Sequence, residues 1–268
     1  MAHINRQARC RTKRAGLAAI FLLAAAGLVF ADDAQTKIFA TRAAAEFQSA
    51  QIRFQSNTNN PAAAWQFARA CFDFADFATN ETRRVAIARE GIAACQELLA
   101  RETNSAPGHY YLAMNEGQLA KAEAPSLAAY RLVRQMEREF KTAAELDKSL
   151  DHAGPERNLG LLYRDAPGWP FSIGSRRKAR EGLEQAAKLA PDYPENRLNL
   201  AESFLQWHET DNAKNELARL DALWPQAQTN FTGEAWEQSW DDWSTRRDAA
   251  RKKLEELSVP AKPSRNGE

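Results

Sequence analysis

The chain has 268 residues, 44% of them hydrophobic and 26% charged, with 36 Lys and Arg against 35 Asp and Glu and a formal net charge of +1. That length supports one or two domains with a true core, and the balance is not that of a disordered chain. Val stands only at 29, 85, 133 and 259 while Ala, Leu, Glu, Gln and Arg dominate, which argues against a sheet-based fold.

Residues 1–31 read as an export signal. Arg6, Arg9, Arg11, Lys13 and Arg14 come without an acid, and a 14-residue apolar run from Leu17 to Phe30 follows. A spanning helix needs about 20 apolar residues, so a cleaved leader fits better. Val29-Phe30-Ala31 offers a small residue at −1, and cleavage is expected after Ala31, which implies a periplasmic or secreted protein. An uncleaved leader is the only membrane contact expected. No Cys stands at or just after the site, so no lipid-attachment signal is present. Without its leader the chain has 31 basic against 35 acidic residues, a balance of −4 and no block of like charge, which argues against nucleic-acid binding. Cys71 and Cys95 then form the only pair. A turn near Thr79 would offset them by roughly 12 Å at ~1.5 Å of rise per residue, so free buried thiols are expected rather than a disulfide.

The domain is expected to span 32–257. A long amphipathic helix over 34–56 comes first and ends at Asn57 to Pro61. Breaks at Thr79-Asn80, Thr103 to Pro107, Ala124-Pro125, Gly154-Pro155 and Pro191 to Pro194 then divide the chain into helical hairpins. Two of these repeat clearly. Leu159-Gly160-x-x-Tyr163 is followed by Ala179, Leu183, Ala186 and Pro191, and Leu200-Ala201-x-x-Phe204 by Ala213, Leu217, Leu220 and Pro225. The spacing resembles the tetratricopeptide (TPR) pattern, with seven residues inserted between the helices of the first copy. Earlier copies are weaker: Leu112-Ala113 with Phe140 and Ala143, where Glu116 replaces the aromatic, and Trp65, Ala68 and Phe72 with Ile92 and Cys95. One hairpin cannot bury its own apolar stripe, so stacking is required. The expected fold is all-α, a TPR-like solenoid of four hairpins with capping helices at both ends. After Pro225 a polar turn is expected, then a cap whose Trp236, Trp240 and Trp243 share one helical face. Residues 258–268 read as a disordered tail.

The inserted segment from Asp165 to Ser175 carries Trp169 and Phe171 and reads as a fixed loop packed against other parts of the fold. Ser175 is a plausible N-cap, and Arg176, Arg177 and Lys178 in the first turn oppose the helix dipole. They are anion-docking candidates, with pairing to neighbouring acids as the alternative.

Gly154-Pro-Glu-Arg-Asn-Leu-Gly160, Ala166-Pro-Gly-Trp-Pro-Phe-Ser-Ile-Gly-Ser175 and Leu189-Ala-Pro-Asp-Tyr-Pro-Glu-Asn196 together resemble the T-component proteins of TRAP transporters. The resemblance implies a periplasmic helical-repeat protein that associates with a solute-binding protein, often as an oligomer, and holds or passes an apolar or amphipathic ligand. The alternative is a scaffold for envelope protein complexes unrelated to transport.

TPR groove positions, counted from the Leu of each copy, fall on Tyr110 and Met114, then Arg157, Leu161 and Arg164, then Leu198, Glu202 and Leu205. The two arginines suit a carboxylate of a bound segment. His109, His152 and His208 lie on separate segments, and no catalytic, cofactor or metal motif is present, so a non-enzymatic binding protein is expected.

Overall fold

The computed structural model describes residues 33–258, so the expected leader and the tail beyond 258 lie outside the described residues. Helix α1 (Asp33–Ser56) is followed by four hairpins: α2 (Pro61–Ala75) with α3 (Glu81–Arg101), α4 (Ala106–Glu123) with α5 (Leu127–Leu146), α6 (Leu150–Asp165) with α7 (Arg176–Leu189), and α8 (Pro194–Gln206) with α9 (Thr210–Asn230). A single 3-10 turn (Glu234–Trp236) leads into α10 (Glu237–Ser258).

Helix starts follow local chemistry. Asn60, Asn80, Ser105, Ser126 and Ser175 each accept a backbone N–H of the following first turn, and Pro61 and Pro194 open α2 and α8, where a missing N–H costs nothing. Small residues set the spacing within pairs. A Cβ on Gly160 would stand 2.9 Å from the Leu183 backbone nitrogen, and one on Gly182 would stand 3.1 Å from the Gly160 Cα. Helices α6 and α7 therefore touch main chain to main chain at that point.

Three apolar clusters make the core. Phe47 and Phe67 join α1 to the first hairpin, Tyr110, Phe140 and Tyr163 centre the second cluster, and Leu198, Phe204, Trp224 and Trp243 the third. Cys71 and Cys95 are both free and buried, as the axial offset implied. Helix α10 caps the stack with the buried Trp243 against Tyr193, ring centroids 5.3 Å apart, while Trp240 donates its indole N–H to Phe231 O at 2.6 Å.

One expected break is absent. Helix α9 runs through Pro225 to Asn230 instead of turning there. Proline removes a single N–H, and burial of Trp224 and Ala227 on either side holds the next turn in place.

The start of α6 holds a feature of another kind. Asp151, His152 and Ala153 all have left-handed backbones, with φ of 50°, 54° and 63°. Each such non-Gly residue costs roughly 1–2 kcal/mol, so neighbours must hold the turn. Buried Arg157 donates Nη1 to Asp151 O at 3.2 Å and His152 O at 3.1 Å, and Asn196 Nδ2 donates to His152 O at 3.1 Å. The His152 ring stacks on Tyr193, centroids 4.4 Å apart.

Candidate functional site

The hairpins wrap far enough that α1 faces the C-terminal cap. Arg42 of α1 bridges the gap, its Nε 2.7 Å from Glu234 Oε1 and its Nη1 2.6 Å from Glu237 Oε2. Behind this bridge lies a cavity of about 1030 Å³ lined by Phe39, Phe72, Tyr110, Tyr193 and Trp243, and by six carboxylates against three guanidinium groups. The acids are Asp73, Asp76, Asp151, Glu195, Glu234 and Asp242; the bases are Arg42, Arg69 and Arg157.

The acids are not equivalent. Burial alone would raise the Glu195 carboxyl, but Arg157 and Arg246 outweigh it and hold the group below the ordinary carboxylate range. Asp151 accepts the Tyr110 hydroxyl at 2.6 Å and Arg157 Nη2 at 3.0 Å. Asp73 is less well served. Its side chain is half exposed, and the surrounding protein with neighbouring Asp76 and Asp151 pushes its carboxyl upward against the pull of Arg69 3.6 Å away. Asp76 caps the C-terminal end of α2 and accepts Gln118 Nε2 at 2.7 Å. Two acids at the negative end of a helix dipole, without a cation in the last turn, leave this wall of the cavity electronegative.

Phe72, Asp76, Met114 and Asn158 are shared with a side chamber of about 420 Å³, whose far wall is apolar: Val133, Met136, Phe140, Leu161 and Leu162.

Of the groove positions expected from the repeat, Tyr110, Met114 and Arg157 line the cavity, and Met114 and Leu161 line the side chamber. Arg164 is occupied, bonded to Asp165 Oδ1 at 2.7 Å and Ser203 Oγ at 3.1 Å. Leu198 and Leu205 are core residues of the last cluster, and Glu202 is held by Arg246 of α10 at 2.7 Å. These three are therefore not open groove: α10 folds back over α8 and covers the face that a longer array would present. Arg176 pairs with Glu209, Arg177 with Glu181 at 2.6 Å, and Lys178 sits over the Tyr163 ring at 4.8 Å with Glu137 3.9 Å away. The helix start thus has acids of its own for all three cations.

Trp169 and Phe171 depart from the expected packing. They are 89% and 72% exposed, so the loop is not fixed by burying them. Main-chain contacts fix it instead: Gly168 and Gly174 form a bridge, Gly174 N donates to Pro167 O at 2.8 Å, and Ser175 N to Tyr163 O at 2.9 Å.

Sequence spacing missed Asp73, Asp76, Asp151 and Glu195, because only the wrapping of the stack gathers them. Among the described residues no group of three or more His, Cys, Asp or Glu is placed to hold a metal ion. No described helix is long and apolar enough to cross a membrane.

No protein-family model and no curated protein matches the chain. Among solved structures it is similar to the thermophilic TPR protein TTC0263 of Thermus thermophilus, at 20% identity and a TM-score of 0.60, covering 81% of this chain and 94% of that one. It is also similar to MamA, at 13% identity and a TM-score of 0.48, over 74% of this chain and 98% of that one. The first likeness concerns fold alone. The protein is all-α, its helices packed as antiparallel hairpins that resemble those of TPR proteins.

Proposed function

We propose that the protein is an exported, non-enzymatic scaffold that holds a cationic segment of a protein partner in its central cavity. The observation that carries this reading is the cavity itself, aromatic-walled and lined by twice as many carboxylates as guanidinium groups. Aromatic faces and acids together suit Lys and Arg side chains. The TPR-like fold supports a protein partner, since stacked hairpins present concave surfaces to other chains. The test is Ala45→Trp, which places a large ring at an exposed position of the cavity wall. Partners captured by the wild-type chain are lost on this variant and retained by Gln206→Trp, an exposed position outside the cavity. Equal capture by both variants refutes the reading.

The side chamber supports a second reading, a small apolar or amphipathic ligand handled alongside a TRAP-type solute-binding protein. Its apolar far wall is the observation in favour; the T-component likeness itself rests on the sequence motifs. Native mass spectrometry of the freshly isolated protein is the test. A bound small molecule that disappears in Met136→Trp supports this second reading, and a ligand-free wild-type spectrum refutes it.

A further inference from the structure

The outer face of α5 carries a stripe the cavity does not use. Its exposed positions 127, 131, 134, 138 and 141 fall at alternating steps of four and three, so they form one line along the helix, which ends one turn later at the exposed Glu145. They are Leu127, Arg131, Arg134, Arg138 and Lys141. The acids of this stretch turn inward: Glu137 accepts the Tyr163 hydroxyl at 2.6 Å, and Glu139 Oε2 is bonded to His109 Nδ1 at 2.6 Å. Arg131, Arg134 and Arg138 enter no ion pair among the described residues, and only Lys141 is paired, to Glu137. From Arg131 to Lys141 the row runs ~15 Å along the axis.

At one end of this row stand exposed apolar side chains. The antiparallel hairpins put the α4–α5 connection and the α6–α7 loop on the same edge of the stack. That edge carries Leu127, 75% exposed, together with the tips Trp169 and Phe171. Lys178 ties the loop's exit to Tyr163 and Glu137, next to the cationic row. Because backbone hydrogen bonds already order the loop, insertion of its rings needs little further ordering.

From this arrangement we infer that α5 and the α6–α7 loop form a docking edge for an anionic lipid bilayer. Rigid aromatic tips belong at headgroup level, and Arg131 and Arg134, within about 6 and 11 Å of Leu127 along the axis, are the cations near enough to meet lipid phosphates. An acidic partner helix would satisfy the row of cations but leave the protruding rings outside its contact. The edge is separate from the cavity, so it stands or falls independently of the partner-segment reading, and it adds a membrane contact to the one expected of the leader.

The test is co-sedimentation of the full chain, and in parallel of the chain starting at Asp32, with phosphatidylcholine vesicles lacking or containing one quarter phosphatidylglycerol. The shorter chain retains every described helix and all three core clusters. Both chains bind the anionic vesicles at about 0.1 M salt, and the shorter one releases them at about 1 M, where the Debye length falls to ~3 Å. The double variant Arg131→Gln/Arg134→Gln weakens partitioning of the shorter chain about tenfold or more. Trp169→Ser/Phe171→Ser weakens it several-fold, and circular dichroism of both variants stays that of the wild type. The inference is overturned if the shorter chain fails to sediment with anionic vesicles, binds neutral vesicles equally, or binds unchanged in the two variants. Failure to bind vesicles combined with retention of a glutamate-rich amphipathic peptide would assign the edge to a protein instead.

Discussion

Arg157→Met isolates the interaction that keeps the left-handed turn in place. Arg157 is 4% exposed, its guanidinium within reach of the Asp151 and His152 carbonyls, the Asp151 carboxylate at 3.0 Å, Asn196 Oδ1 at 3.2 Å and Glu195 at 3.8 Å, with the Tyr193 ring 5.2 Å away. Methionine fills similar space but removes the Arg157 donor from Asp151 O, leaves His152 O with Asn196 Nδ2 alone, and takes a cation from two acids. Removing one partner of a buried ion pair costs about 3–5 kcal/mol. Asp151 retains the Tyr110 hydroxyl, and Glu195 retains Arg246 at 3.8 Å, so that cost applies once to the whole site and not separately to each acid. For a body of this size, 3–5 kcal/mol corresponds to about 10 °C of melting temperature. Arg157→Lys keeps the charge without the planar fork and falls between the two. Urea unfolding supplies the free energies. The ring-current shift that Tyr193 imposes on His152 reports the turn itself, and it collapses in the methionine variant. A loss below about 1 kcal/mol with the His152 shift unchanged would refute the claim that Arg157 holds the turn.

Glu116→Gln removes a buried acid. Burial, reinforced by Glu139 and opposed by Arg138 and Gln135, pushes the Glu116 carboxyl up to about 8. Between about 4.5 and 8 the folded state then binds more protons than the unfolded chain, so stability falls as pH rises through that window. Glutamine abolishes the slope, and the variant gains about 2–4 kcal/mol on the wild type between pH 5 and pH 8; parallel profiles in urea would count against it. Gly160→Ala drives a methyl into the α7 backbone and lowers stability by about 1–3 kcal/mol, read from the urea midpoint, while a neutral result would mean that the two helices separate freely. Arg42→Ala opens the bridge between α1 and the cap. Spin labels at Ala45→Cys and Gln238→Cys show a broader distance distribution in this variant and in the wild type at high salt, and an unchanged distribution would place the closure elsewhere.

The repeat was legible because its determinants are local. Gly160, Ala201, Tyr163 and Phe204 recur at fixed steps, and the starts of α2, α3, α4, α5, α7 and α8 are announced by a capping Asn or Ser or by a proline. Glu116 was visible as an anomaly for the same reason: it fills a position where later copies carry an aromatic, and burial there makes it titrate high. The cavity was only half legible. Tyr110, Met114 and Arg157 follow from repeat position, but Asp73, Asp76 and Glu195 face one another only once superhelical wrapping sets the distance from α2 to α8. Leu198, Glu202 and Leu205 were misplaced because a repeat pattern assumes an open end, and α10 closes it. Trp169 and Phe171 show the opposite error, bulky side chains taken for packed ones in a loop whose backbone holds itself.

The bridge from Arg42 to the cap has a consequence for how the molecule can vary over evolution. Ordinary solenoids lengthen and shorten by whole repeats because each unit touches only its neighbours. Here the Asp151 turn also ties only neighbours, Tyr110 of the second hairpin and Asn196 of the fourth, but Arg42 reaches from the first helix past all four hairpins to the cap. Inserting or deleting a hairpin anywhere between α1 and the cap would carry Glu234 and Glu237 away from Arg42. The number of repeats is therefore a fixed property of this fold, as the number of strands is in a closed barrel.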